Sequence, residues 1–276
     1  MEGGAMRGLF TCGVIDVLLE NGIIFDGGIG VSAGAVFGCN YKSQQIGRPY
    51  RYNTLYCNDP RYCSIRSLIT TGDLYGADFC YRELPDRLDV FDTDTFSNNP
   101  MEFYVVATDL ENGKPVYHKC SDGKEKDILW MRASASMPLV SRPVEIEGRY
   151  YLDGGMSDSI PFAYFESIGY RRNLVILTQP RGYVKKYNPA AALMRILIKE
   201  YPRVAEVMSE RHTIYNQQLK DLLESEKEGF AFVISPPSPL NIGHTEKDPN
   251  KLRQIYRIGR QSATDRLYEI RAFLNQ

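Results

Sequence analysis

The sequence predicts an α/β layered fold, with a mainly parallel central sheet flanked by helices. Three observations point there. Short β-rich apolar runs alternate with longer helical stretches along the chain. The first clear strand runs straight into a Gly-x-Ser-x-Gly turn and then a helix, a joint that exposes a serine at the end of a sheet. The later strands stop on glycine or proline.

Taken in order, 13–21 (GVIDVLLEN) carries apolar residues at helical spacing and closes on Asn21-Gly22, which predicts a helix. FDGGIGV, 25–31, reads as a short buried strand. SAGAVFGCNYKSQ, 32–44, reads as a helix whose small residues suit close packing under a sheet. The stretch 48–100 is rich in Tyr, Arg, Asp and Cys and weakly periodic. It is expected to be either an insertion near the site, acting as a lid, or a surface excursion. MEFYVVATDL (101–110) is β-rich, and PVEIEGRYYLDGG (143–155) alternates before breaking on glycines. RNLVILTQP (172–180) and GFAFVISPP (229–237) read as further buried strands. Helices are expected over 125–135, 161–168, 200–223 and 249–274. In the last, Leu252, Ile255, Tyr256, Ala263, Leu267, Ile270 and Phe273 recur at helical spacing. The expected organisation is a core over 1–180, then a helical part over 181–276 with one more strand, packed on the same domain.

Composition narrows the function. A chain of 276 residues, 43% hydrophobic, buries a full core. A net charge of −1 gives no electrostatic case for nucleic acid. No run of about 18 apolar residues predicts a membrane span, and no apolar leader core precedes the first helix, so membrane contact would be peripheral. Cys12, Cys39, Cys57, Cys63, Cys80 and Cys120 show no CxxC pairing and read as free thiols in a reducing cytoplasm. No metal or cofactor is implied.

The candidate chemistry lies in three places. In IGVSAGAV, Ser32 sits between a strand and a helix, with Gly30 and Gly34 leaving room for the turn. A helix N-terminus offers N–H groups and a positive dipole end to developing negative charge; the competing role is a simple N-cap. In EGGAMRG, Gly3, Gly4 and Ala5 form a loop whose amides can converge on an oxyanion. Arg7 could add charge there or bind a lipid phosphate. There is no GxxxxGK[ST] or GxGxxG to favour a nucleotide. Asp153 ends the alternating run at Asp153-Gly154-Gly155, as a carboxylate at the mouth of a sheet or as a turn residue.

In this order, with ATDL (107–110), RASASMP (132–138) and DSIPF (158–162), the chain resembles the patatin-like phospholipase family up to about residue 180. The resemblance implies a three-layer sandwich with 1–180 as its catalytic core and Ser32 on a nucleophile elbow. It implies a Ser–Asp dyad, with Ser32 as nucleophile and Asp153 as base. The oxyanion hole would be the amides of Gly3, Gly4 and Ala5, with Ala33, Arg7, Gly30, Gly34 and Gly154 giving support. Ala5 stands where a third glycine is common, at little cost if its φ is negative. The family's first strand, which precedes the glycine loop, is expected upstream of Met1 or is missing, which would leave the loop on a fraying end. The order Ser32, Asp153, His244 also matches the Ser…Asp…His order of α/β hydrolases, but the oxyanion loop precedes Ser32 too closely for that layout. His212, in mid-helix, and His118, ending a strand, are expected to be structural.

The function implied is lipid acyl hydrolysis of phospholipase A or lysophospholipase type, in the cytoplasm. A small-ester or thioester hydrolase on the same dyad is the alternative, as is a silent lipid-binding regulatory module. The expected partner is an acyl lipid or ester, with peripheral membrane or micelle contact and no nucleic acid. Residues of 50–100 and the C-terminal helices would line an acyl pocket. Arg51, Arg61 and Arg66 would meet headgroups or simply coat the surface.

Overall fold

The computed structural model describes residues 1–189 and 200–275. The elements run α1 (Gly8–Glu20), β1 (Gly27–Val31), α2 (Ala33–Lys42), α3 (Arg48–Tyr56), α4 (Ile65–Thr71), a π-helical segment (Phe79–Leu88), α5 (Thr93–Asn98), β2 (Glu102–Asp109), β3 (Pro115–Cys120) and α6 (Glu125–Ala135). They continue with the hairpin β4 (Val144–Ile146) and β5 (Arg149–Asp153), then α7 (Phe162–Ser167), β6 (Asn173–Ile176), α8 (Pro202–Lys227), β7 (Ala231–Ile234), α9 (Pro249–Asp265) and α10 (Leu267–Leu274).

This is a layered α/β fold with helices against its sheets. Parallel pairs β1–β2 and β6–β7 run through the middle. β3 and β5 join β2 antiparallel, and β4 pairs with β5. β1 and β5 occupy the same side of β2, one beyond the other: β1 pairs with 102–106 and β5 with 107–109.

Residues 1–3 bridge the two sheets. The Met1 amine donates to the Ile29 carbonyl at 2.8 Å, and Val31 N–H donates to the Met1 carbonyl at 3.2 Å. On the other side, Glu2 N–H donates to the Ile176 carbonyl at 3.0 Å. The glycine loop is therefore tied down on both sides instead of fraying, as the expectation had it.

α1 is buried almost throughout because α9 closes over it at a glycine–glycine crossing. A Cβ on Gly13 would lie 2.1 Å from the Tyr256 carbonyl oxygen, and one on Gly259 would lie 2.0 Å from that of Phe10. Asp16, inside α1, accepts from the Tyr256 hydroxyl and from Gly47 N–H.

The stretch 48–100 folds into short helical segments rich in aromatic contacts. Tyr52, Tyr62, Phe79 and Leu84 are buried in the main core, and Tyr62 meets Tyr52 and Phe79 edge-on. Two expectations need correcting. The helix predicted over 249–274 is two helices, broken at Arg266 with φ −109°. His118 lies inside β3, a strand with only one fully buried residue and so too weakly patterned to predict. The described residues contain no helix long and apolar enough to cross a membrane.

Candidate active site

The sheet register creates the site. Val31, the last residue of β1, pairs with Val106; Asp153, the last of β5, pairs with Ala107. β1 runs parallel to β2 and β5 antiparallel to it, so their C-terminal ends meet head to head at adjacent residues of β2. Ser32 and Asp153, far apart in sequence, become neighbours there.

Ser32 joins β1 to α2 with φ 55° and ψ −122°. That backbone region is costly for a residue bearing a Cβ. The turn fits because its glycines are small: a Cβ on Gly30 would lie 2.2 Å from the Gly34 carbonyl oxygen, and one on Gly34 would lie 2.4 Å from that of Met1. Ser32 N–H donates to Ser134 Oγ at 2.9 Å. This contact was missed in the sequence, although Ser134 lies inside the RASASMP run.

Asp153 is buried, 7% exposed, and Ser32 is 8% exposed. Burial raises the Asp153 pKa; the Ser32 hydroxyl, the Gly155 N–H and the Arg211 charge pull it back only in part. A carboxylate raised in this way is a better proton acceptor than an ordinary surface aspartate. Gly155 N–H donates to Asp153 Oδ1 at 2.8 Å, and Asp153 N–H donates to the Ser136 carbonyl at 2.8 Å. Gly154 sits over β2, where a Cβ would lie 2.2 Å from the Val106 carbonyl oxygen.

The glycine loop packs directly on Ser32. A Cβ on Gly3 would lie 2.8 Å from Ser32 Cβ and 3.5 Å from its Oγ. Among the described residues, the Gly3 and Gly4 amides meet no backbone acceptor. Gly4 has φ 152°. Ala5 has φ 50°, so the condition under which an alanine costs little there is not met, and it adds strain of roughly 1–2 kcal/mol. Thr178 Oγ1 donates to the Gly3 carbonyl and Thr178 N–H to Glu2 Oε2, which fixes the loop from β6's side. Arg7 lies beside this loop, its Nε buried and without a hydrogen-bond partner.

A cavity of about 100 Å³ opens on Ser32. Val36 and Phe37 of α2, Tyr52 of α3, Leu84 of the π-helical segment and Met131 of α6 line it. A larger cavity of about 320 Å³, between β1 and β6, does not include Ser32.

The other sequence candidates lie elsewhere. Arg51 pairs with Asp89, and Arg61 with Asp59 and Glu83. The exposed Arg66 borders a separate cleft that shares Tyr81, Pro85, Phe91 and Ile128 with the Ser32 cavity, but Arg66 does not line the Ser32 cavity itself. His118 Nε2 contacts Asp127 Oδ1 at 2.8 Å, while Asp127 Oδ2 accepts three backbone amides of the turn after β3. His212 bonds the Ser209 carbonyl within α8. The His244 ring makes no hydrogen bond to Ser32 or Asp153 among the described residues, although it lies within charge range of Arg7 and Arg211. His118, Cys120 and Asp127 are close enough together to hold a metal ion. However, Asp127's oxygens already serve four partners there, so this cluster reads as a turn clamp.

Residues 1–166 match the family model described as patatin-like phospholipase, and residues 201–275 match one described as a domain of unknown function, DUF6363. The chain is 26% identical over 266 residues to the uncharacterized protein YjjU of Escherichia coli, spanning 94% of this chain and 73% of that protein. It is 29% identical over 163 residues to the uncharacterized NTE family protein Rv1063c of Mycobacterium tuberculosis, spanning 59% of this chain and 43% of that protein. It is 23% identical over 284 residues to lysophospholipase nte1 of Aspergillus terreus, spanning 94% of this chain and 17% of that protein. At family level these similarities support a lipid hydrolase.

Proposed function

The chain belongs to the patatin-like phospholipase family, and on that premise we propose that it hydrolyses acyl esters of lipids through Ser32 and Asp153. The observation that carries the reading is the meeting of β1 and β5 on β2, which sets a strained serine beside a buried, raised-pKa carboxylate.

In the first step Ser32 Oγ attacks the ester carbonyl and Asp153 takes its proton. The oxyanion is held by the amides of Gly3, Gly4 and Ala5, with the N-terminal end of α2 adding its dipole. Collapse of the tetrahedral intermediate expels the alcohol, and Asp153 returns the proton to it. Water, deprotonated by the same carboxylate, then releases the fatty acid. The general-base step contributes about 10² to 10⁴ in rate, and each oxyanion donor about 10² to 10³. The apolar cavity beside Ser32 takes the acyl chain, and lipid is reached by peripheral contact with a membrane or micelle. Six unpaired thiols support a reducing compartment such as the cytoplasm.

Fluorophosphonate labelling with long-chain ester hydrolysis tests the reading on wild type, Ser32→Ala, Asp153→Asn and His244→Ala. Wild type and His244→Ala are expected to label and turn over, and the other two to do neither. A dead His244→Ala would replace the dyad with a triad. A silent wild type that still binds lipid would make the chain a binding module.

A further inference from the structure

The Ser32 cavity and the wide cleft beside it are separated by a wall one side chain thick. Tyr81, Pro85, Phe91 and Ile128 line both. The Ser32 cavity holds about 100 Å³ and the cleft about 1240 Å³. Sites that enclose a drug-sized ligand run to about 300–1,000 Å³, so the inner cavity is too small for a long acyl chain. Along α2 it reaches from Ala33 to Cys39, a span of about 9 Å of helix. A longer chain has to turn aside, and open space adjoins it only across the thin wall.

The parts of that wall are not equally fixed. Phe91 packs on Phe96, and the Arg48 guanidinium lies 5.2 Å from its ring centre. Phe91 N–H also donates to the Pro85 carbonyl at 2.8 Å. Ile128 sits within α6 and packs against the main core. Tyr81 belongs to the π-helical segment, a rare geometry that concentrates at functional sites. That segment is pinned at Phe79, edge-on to Tyr56 and Tyr62, and at the buried Leu84. Between these pins the Tyr81 ring is half-buried and outside the core cluster. Its hydroxyl makes no hydrogen bond among the described residues; burial and nearby charges act on it, Asp153 among them. A buried tyrosine hydroxyl ordinarily finds a partner. This one stands near the catalytic carboxylate without one, so the side chain serves through its bulk and is free to turn.

We propose that Tyr81 is a specificity-determining residue: its ring closes the acyl cavity toward the outer cleft, and a long acyl chain is accepted only when the ring turns aside and lets the distal carbons pass between the π-helical segment and α6. The inner cavity holds the carbons next to the ester, and Tyr81 sets the penalty for those beyond. Phe79, Val90 and Leu129 put apolar surface in the cleft to receive them. The proposal rests on Ser32 as nucleophile for turnover, but the chain binding it predicts does not.

The turnover arm measures kcat/KM for p-nitrophenyl butyrate and palmitate on wild type, Tyr81→Ala, Tyr81→Phe and Tyr81→Trp, with thermal melting to show that each is folded. The palmitate-to-butyrate ratio is expected to rise about 10-fold in Tyr81→Ala, the scale of burying two more methylenes, and to stay within about twofold in Tyr81→Phe. It is expected to fall in Tyr81→Trp. The binding arm titrates Ser32→Ala protein, with and without Tyr81→Ala, using octanoate and palmitate below their aggregation concentrations. Palmitate is expected to bind about 10-fold tighter when Tyr81 is truncated, with octanoate gaining less. A ratio unmoved in folded Tyr81→Ala overturns the proposal, as does palmitate bound no tighter by the double variant. A rise in Tyr81→Phe as large as in Tyr81→Ala also overturns it, by assigning the effect to the hydroxyl instead of the ring. Wild type silent toward both esters, with palmitate binding still tightened by Tyr81→Ala, sinks only the hydrolase reading and leaves Tyr81 as the gate of a lipid-binding cavity.

Discussion

Gly3→Ala is the sharpest probe of the oxyanion loop. The added Cβ would stand 2.8 Å from Ser32 Cβ and 2.9 Å from the Val31 carbonyl oxygen, about 0.6 Å inside the closest ordinary contact of 3.4 Å. Neither neighbour can yield easily, since Val31 is fixed in β1 by its pairing with Val106. The loop must therefore move, and its amides leave the place where the oxyanion forms. A misplacement of around 1 Å costs about 10²-fold, and loss of one donor about 10² to 10³, so kcat should fall about 100-fold. Gly3 has no positive φ, so the stability cost is overpacking alone, about 1–3 kcal/mol. The assay is kcat on a chromogenic ester, with active-site titration by fluorophosphonate to correct for unfolded protein. Gly243→Ala is the control, because its Cβ meets nothing within 4 Å. A Gly3→Ala enzyme that keeps its kcat within about twofold would show that these amides do not hold the oxyanion.

Asp153→Asn should abolish turnover yet raise Tm at neutral pH. The folded pKa lies above the unfolded value of 3.8, so the proton favours the folded state, and this group's contribution is lost as pH rises through the folded pKa. Calorimetry on both proteins checks it, and a lower Tm for the variant at neutral pH would contradict the sign. The acid limb of kcat/KM in wild type should correspondingly sit above the usual aspartate range. Asp127 behaves oppositely: although burial pushes its pKa up, His118 and the amides of Gly123 and Ser121 bring it below 3.8. Asp127→Ala should cost about 3–5 kcal/mol in denaturant unfolding at neutral pH, and the part of that penalty linked to ionisation is lost as pH falls through the folded pKa. Gly259→Ala should be among the most destabilising small substitutions, because its Cβ would meet the Phe10 carbonyl oxygen at 2.0 Å and force α9 off α1; a Tm shift under about 2 °C would refute that packing argument.

What the sequence determined by itself was local. The turn at Ser32 was legible because Gly30 and Gly34 mark a place where backbone must approach backbone. The hairpin ending at Asp153 was legible because its residues alternate and then meet two glycines. The strand positions followed from their apolar runs and from the glycines and prolines that stop them. The weak periodicity of 48–100 reflects helices too short to show a repeat, so nothing local revealed that Tyr52, Tyr62 and Phe79 are core residues.

Tertiary structure decided the rest. Whether Ser32 meets Asp153 depends on β1 and β5 sharing one side of β2 in adjoining register, and register is a property of strand pairs, invisible in either strand alone. The sign of φ at Ala5 was set by loop contacts with Thr178 and Ser32, not by alanine's own preference. Arg211 comes to the site from beyond the region of recognised motifs, because α8 packs across the loop after β5 and Arg211 Nε donates to the Gly155 carbonyl. Distant charges converge only when helices dock, and a linear sequence does not carry that distance.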